Sequence, residues 1–138
     1  MERKDFLKRA FALGGLAIIP AGLLTGCSKQ NSSAPVNVDF TLDLTQPTNA
    51  VLNSVNGYLV INGVIIIRSS TSTFNVYSAA CTHAGCTVYY DPATTNIICP
   101  CHTGTFSSVT GGVLTGLPPT PLTRYTATLS GPNLTVKS

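Results

Sequence analysis

The chain has 138 residues, enough for one small domain, and only 9% of them are charged, against roughly 25% in ordinary soluble domains. A hydrophobic content of 43% is sufficient for a core and excludes a disordered polyelectrolyte. After Cys27 only Lys29, Arg68, Arg124 and Lys137 face Asp39, Asp43 and Asp91, which leaves no clustered basic face for nucleic acid and tells against a paired-carboxylate hydrolase.

Residues 1–26 read as an export signal. Arg3, Lys4, Lys8 and Arg9 make the start basic, and Phe11 to Leu24 is an apolar run broken by Gly14, Gly15, Pro20 and Gly22. As a helix that run would rise about 21 Å, short of a roughly 30 Å hydrocarbon core. It therefore reads as the hydrophobic region of a signal peptide rather than a retained membrane anchor. Arg3-Lys4-Asp5-Phe6-Leu7-Lys8 resembles the twin-arginine export motif, with Lys4 in place of the second Arg. Sec signals are also basic, so both export routes stay open. Leu24-Thr25-Gly26-Cys27 resembles the lipobox of bacterial lipoproteins. That resemblance implies an acylated Cys27 at the mature N-terminus, with residues 27–35 as a lipidated tether rich in Ser, Asn and Pro.

Residues 36–138 read as one all-β domain, a small antiparallel sandwich or barrel. Val36, Val38, Phe40, Leu42 and Leu44 alternate with polar residues, as in a half-buried strand. Tyr58–Ile61 and Val64–Ile67 flank Asn62-Gly63, a type I′ hairpin signal. Further short strands are expected at Phe74–Ala79, Thr87–Tyr90, Asn96–Ile98, Arg124–Leu129 and Leu134–Lys137, with the last turn at Gly131-Pro132-Asn133. Tyr77, Tyr89 and Tyr90 read as strand packing, and Arg68 and Arg124 as solvated strand residues.

Two loops interrupt the strands: Cys81-Thr82-His83-Ala84-Gly85-Cys86 and Cys99-Pro100-Cys101-His102. They hold every His of the chain and every Cys except Cys27. Thiols and imidazoles concentrated on two hairpin-like tips point to a metal site, disulfides, or both.

These two segments resemble the paired ligand boxes of Rieske 2Fe–2S proteins, of the disulfide-containing type found in cytochrome bc complexes and arsenite oxidase small subunits. The likeness runs from about Gly57 to Ser138 and includes Gly112-Val113 and the Pro-rich stretch Gly116-Leu117-Pro118-Pro119-Thr120-Pro121-Leu122. It implies one 2Fe–2S cluster per chain, with Cys81 and Cys99 on one iron and His83 and His102 on the other. It implies a Cys86–Cys101 disulfide, and a three-sheet β fold with the cluster at a two-loop tip under the Pro-rich loop. With neutral imidazoles, two ferric ions, two sulfides and two thiolates carry no net charge, whereas four thiolates would leave the cluster doubly negative. Such mixed ligation therefore raises the potential, into a range of about −150 to +300 mV.

The sequence departs from the family at several positions around the cluster. High-potential members often carry a Ser and a Tyr whose hydroxyls donate to sulfur; here those positions are Gly104 and Phe106. Losing donors to sulfur lowers the potential, and Thr103 or Thr105 could compensate. Ala84 stands where a Leu often shields the cluster, and Leu117, next to Pro118, stands where the loop often has Pro.

The resemblance implies electron transfer without a substrate site of its own, in a carrier or small subunit of a membrane-associated respiratory oxidoreductase. The expected donor is a quinol or redox enzyme, and the acceptor a cytochrome or similar protein. The expected location is the bacterial cell envelope, outside the cytoplasm, with a lipid anchor at Cys27. One alternative is the iron–sulfur subunit of a quinol–cytochrome c reductase. Another is a structural zinc site in a binding lipoprotein. An oxygenase needs a further two-His, one-carboxylate iron site, and both His are already used.

Overall fold

The computed structural model describes residues 33–138; the expected signal and the acylation site Cys27 lie outside them. Ten strands form two antiparallel sheets. The larger has the order β1 (Asp39–Asp43), β10 (Asn133–Lys137), β9 (Arg124–Ser130), β4 (Phe74–Ser78), β3 (Val64–Arg68), β2 (Tyr58–Ile61). The smaller has the order β5 (Tyr89–Asp91), β6 (Asn96–Ile98), β7 (Thr105–Ser107), β8 (Val113–Thr115). Three sheets were expected. The larger sheet is two three-stranded halves joined at β4 and β9 through only two residue pairs, Val76–Tyr125 and Tyr77–Arg124.

Strands β3 and β4 form a wall between two cores. Side chains alternate across a strand, so a strand covered on both faces reads as an unbroken apolar run. Val64-Ile65-Ile66-Ile67 is such a run, and all four residues are buried. Val64 and Ile66 join Leu42, Leu52, Phe74, Val76, Leu134 and Val136 in one core. Ile65 and Ile67 face the other way, toward Tyr77, Val88, Ile97, Phe106, Leu122, Cys81 and Cys99. The second core is the floor of the two Cys-bearing loops.

The hairpins form where expected. Asn62 (φ 51°) and Gly63 (φ 76°) take the left-handed pair that a type I′ turn needs. Gly131 (φ 57°) opens the β9–β10 turn. The first strand begins later than its alternation suggests, at Asp39, because Asn37 has φ 57° and breaks the extended backbone; Val36 is exposed.

Arg68 corrects the expectation of a solvated strand cation. Its guanidinium donates to the carbonyls of Leu52 (2.8 Å), Ser70 (3.1 Å) and Thr71, and lies 5.1 Å from the centre of the Phe74 ring. It thereby fastens a 3-10 helix, Pro47–Asn53, to the end of β3. Arg124 is exposed, but reaches over Tyr77 at 5.7 Å.

Candidate metal centre

The two Cys-bearing loops are hairpin tips of the same length and closure. In each, the first residue's N–H donates to the sixth residue's carbonyl: Cys81 to Cys86 and Cys99 to Gly104, both at 2.8 Å. In each, the fifth residue is left-handed, Gly85 at φ 71° and Thr103 at φ 54°. The first loop is closed behind by the Ala80–Thr87 bridge, and the second springs directly from β6 and β7.

The shared geometry places a Cys at the first position of each loop, where the chain leaves the core. Cys81 is 3% exposed and Cys99 0%. Their thiols lie within hydrogen-bonding reach of one another. Burial pushes the Cys81 thiol up, and Cys99 adds to the rise, while the backbone N–H groups of His83 and Ala84 pull it down. Two buried, facing sulfurs repel each other as thiolates unless a cation lies between them.

Farther out, His83 and His102 are exposed and meet edge to face, with ring centroids 4.5 Å apart. A disulfide joins the loops between Cys86 and Cys101, with Cα atoms 6.4 Å apart, as the resemblance implied. Sulfur is thus paired with sulfur inside, and nitrogen with nitrogen outside. Among the described residues no group of three or more His, Cys, Asp or Glu side chains gathers around one point. Two like pairs of donors suit two adjacent metal ions, each completed by bridging ligands, so the residues present fit a 2Fe–2S cluster.

A third loop, Gly116–Leu122, lies over the pair. Pro118 is buried against Gly104, and the Thr82 hydroxyl donates to the Thr120 carbonyl at 2.7 Å. Leu117 is 65% exposed. Phe106 is fully buried in the core beneath Cys81 and Cys99. The hydroxyls of Thr103 and Thr105 are engaged elsewhere, with the His102 carbonyl and the Thr115 hydroxyl, each at 2.7 Å. The Thr103 hydroxyl is thus committed as a donor away from positions 104 and 106, and that of Thr105 is paired with Thr115.

Tyr77 and Tyr90 are packed as expected, their hydroxyls donating to the Ser108 carbonyl and to Asn56 Oδ1, both at 3.1 Å. Tyr89 is instead 41% exposed. The sequence reading missed the Thr82–Thr120 bond and the seat of Pro118 on Gly104. Only the folded juxtaposition of the loops reveals either contact.

The chain is similar to known proteins. The chain is 33% identical over 72 residues to a cytochrome b6-f complex iron-sulfur subunit of Chlorobaculum thiosulfatiphilum, covering 52% of this chain and 39% of that one. It is 33% identical over 110 residues to the corresponding subunit of Gloeobacter violaceus, covering 75% of this chain and 56% of that one. The chain thus spans between two fifths and just over half of these relatives. Among solved structures it is similar to the cyanobacterial plasma membrane Rieske protein PetC3 from Synechocystis PCC 6803. That match has a TM-score of 0.52 and 30% identity, and covers 59% of this chain and 84% of that one. The model of the Rieske [2Fe-2S] domain matches residues 40–126. With more than half of its length matched, this chain belongs to the Rieske [2Fe-2S] domain family, its cofactor is a 2Fe–2S cluster, and its chemistry is electron transfer.

Proposed function

We propose that the chain is an exported, lipid-anchored electron-transfer protein, a carrier or small subunit of a membrane-associated respiratory oxidoreductase. Cys81 and Cys99 hold one iron, and His83 and His102 the other. The observation that carries this assignment is the segregation of the donors, facing thiols in the core and facing imidazoles at the surface. A single zinc would need all four donors around one point.

When bound, the cluster supplies one-electron transfer at the potential its ligands set. The chain's own residues supply the rest. The buried cysteines keep water from the sulfur end. The exposed imidazoles of His83 and His102 form the surface that a partner would approach. The disulfide and the Pro-rich loop keep the two rings together.

Export and acylation at Cys27 are supported by the basic start, the short apolar run and the lipobox-like Leu24-Thr25-Gly26-Cys27. A disulfide beside the site suits an oxidising compartment, the periplasmic side of a bacterial membrane. The donor is a quinol or a redox enzyme, and the acceptor a cytochrome or similar protein. The second reading, an iron–sulfur subunit of a quinol–cytochrome c reductase, is favoured by the b6-f relatives.

Anaerobic reconstitution of the purified protein tests the assignment. The expected product is coloured, contains iron and sulfide in equal amounts, and gives an EPR signal on reduction. A colourless, iron-free, EPR-silent product overturns it. Mass spectrometry of the N-terminal peptide from membranes reads acylation at Cys27. Co-purification with cytochromes from detergent extracts separates a complex subunit from a free carrier.

A further inference from the structure

The chain enters the domain at the end of the larger sheet from which the first ligand loop leaves. The Asn62-Gly63 turn, the last residue of β4 (Ser78) and the first of β9 (Arg124) all lie at that end, as the pairings Val64–Ser78 and Tyr77–Arg124 fix. The segment ahead of β1 is held there at three points. The Tyr125 hydroxyl donates to the Pro35 carbonyl at 2.7 Å, from a side chain buried in the first core. The Pro35 ring packs on the turn, where a Cβ on Gly63 would stand 3.3 Å from Pro35 Cγ. Val38 is buried in the same core, and its carbonyl accepts the Ser138 N–H at 2.9 Å. Upstream, Ser33 lines a groove with Val60, Gly63, Ala79, Ala80 and Thr87. Ala80 and Thr87 form the bridge that closes the first ligand loop, and the Ala79 N–H donates to the Gly63 carbonyl at 2.8 Å.

We propose that residues 33–38 are a clasp that seats the incoming chain along the domain, with Pro35 and Tyr125 as its positioning residues, and so holds the ligand-loop end close to the lipid anchor. The inference rests on the acylation of Cys27 proposed above. Ser33 is six residues from Cys27, and six residues span at most about 20 Å when fully extended. However those residues are arranged, the groove at the base of the first ligand loop stays within that reach. A segment free as far as Asp39, where β1 begins, would have twelve residues and about 40 Å. It would let the domain turn either end of its sheet to the membrane. The clasp halves the reach and selects the end. The cluster therefore exchanges electrons with a partner whose redox group lies at the bilayer surface.

The test places the full acylated chain in phosphatidylcholine vesicles, with and without Tyr125→Phe or Pro35→Ala. Cys81 and Cys99 hold the cluster, Cys86 and Cys101 are joined and Cys27 is acylated, so one introduced thiol can be labelled. A nitroxide on Val36→Cys, at an exposed position, reads whether the segment is seated. Dyes on Thr87→Cys and on Ser130→Cys, in separate proteins, read energy transfer to labelled lipid headgroups. Both positions are exposed, and Ser130 ends β9 at the far side of the sheet from Arg124.

The parent nitroxide should give an immobilised spectrum, and energy transfer from position 87 should exceed that from position 130. Tyr125→Phe, which keeps the ring and loses only the hydroxyl, should mobilise the nitroxide and narrow the difference in transfer, with cluster absorbance unchanged. Pro35→Ala should act in the same direction. Equal transfer from the two positions in the parent, or a Tyr125→Phe chain that matches the parent in both readouts, overturns the clasp. A chain that carries no acyl group and leaves the vesicles overturns the Cys27 reading instead, and the nitroxide spectrum still decides whether residues 33–38 are seated.

Discussion

The rings of His83 and His102 stand edge to face, with centroids 4.5 Å apart, although they come from hairpins that share no strand. Both rings are exposed, so they contribute little to the core. Replacing either with Ala should leave the β-sheet circular dichroism intact, while iron content and visible absorbance fall by more than about tenfold. Full cluster retention in both variants would remove the imidazoles from the ligand set.

The midpoint potential should lie below the top of the family's range of about −150 to +300 mV. Gly104 and Phe106 carry no hydroxyl, and the nearby hydroxyls of Thr103 and Thr105 are bonded elsewhere. Fewer donors to sulfur leave the reduced, more negative state less stabilised. A redox titration of the reconstituted domain reads this directly, and a value at the upper limit would contradict it.

The β3 wall separates stability from cluster chemistry. Ile65 and Ile66 are both fully buried, on opposite faces of one strand. Truncating either to Ala should cost about 2–5 kcal/mol in urea denaturation. Only Ile65 shares its core with Cys81 and Cys99. Ile65→Ala should therefore also change the cluster's visible spectrum or retention, and Ile66→Ala should not.

Alkaline pH should unfold the chain in a predictable window. Burial raises the phenols of Tyr77, Tyr90 and Tyr125 above their ordinary value of 10.0, with Arg124 opposing part of the rise at Tyr77. The folded chain then holds these protons more tightly than the unfolded one. That contribution is complete below the ordinary value and is lost as pH climbs through the raised folded values. Urea midpoints should stay level up to about pH 10 and fall beyond it. Tyr125→Phe removes the bond to the Pro35 carbonyl, yet should make the alkaline fall shallower.

Much of this was readable in the chain because the signals are local. Asn62-Gly63 carries its own turn, Val64–Ile67 its own burial, and the two Cys/His boxes their own chemistry. Strands β7 and β8 were not foreseen. Thr105-Phe106-Ser107 has one apolar residue, and Val113-Leu114-Thr115 is exposed throughout at a sheet edge. Their extended form is imposed by pairing with β6 and with each other, not by an apolar rhythm. Arg68 looked like a lone cation because its main acceptor, the Leu52 carbonyl, belongs to a helix that no periodic pattern announces. The Thr82–Thr120 bond was invisible for the same reason: its two residues meet only once three loops have converged.

Strands β4 and β9 are immediate neighbours in the larger sheet, yet everything between Ala79 and Thr123 intervenes along the chain. Topologically the whole redox apparatus is one long excursion between two partnered strands. The entropy of closing such an excursion grows only logarithmically with its length. It is therefore a cassette, open to lengthening, exchange or grafting, provided its ends return at the roughly 4.8 Å spacing of adjacent strands. Its inner face must still fit Ile65, Ile67 and Tyr77, and its flanks the Asn56, Tyr58 and Asn75 side chains that Tyr90 and Ser108 meet.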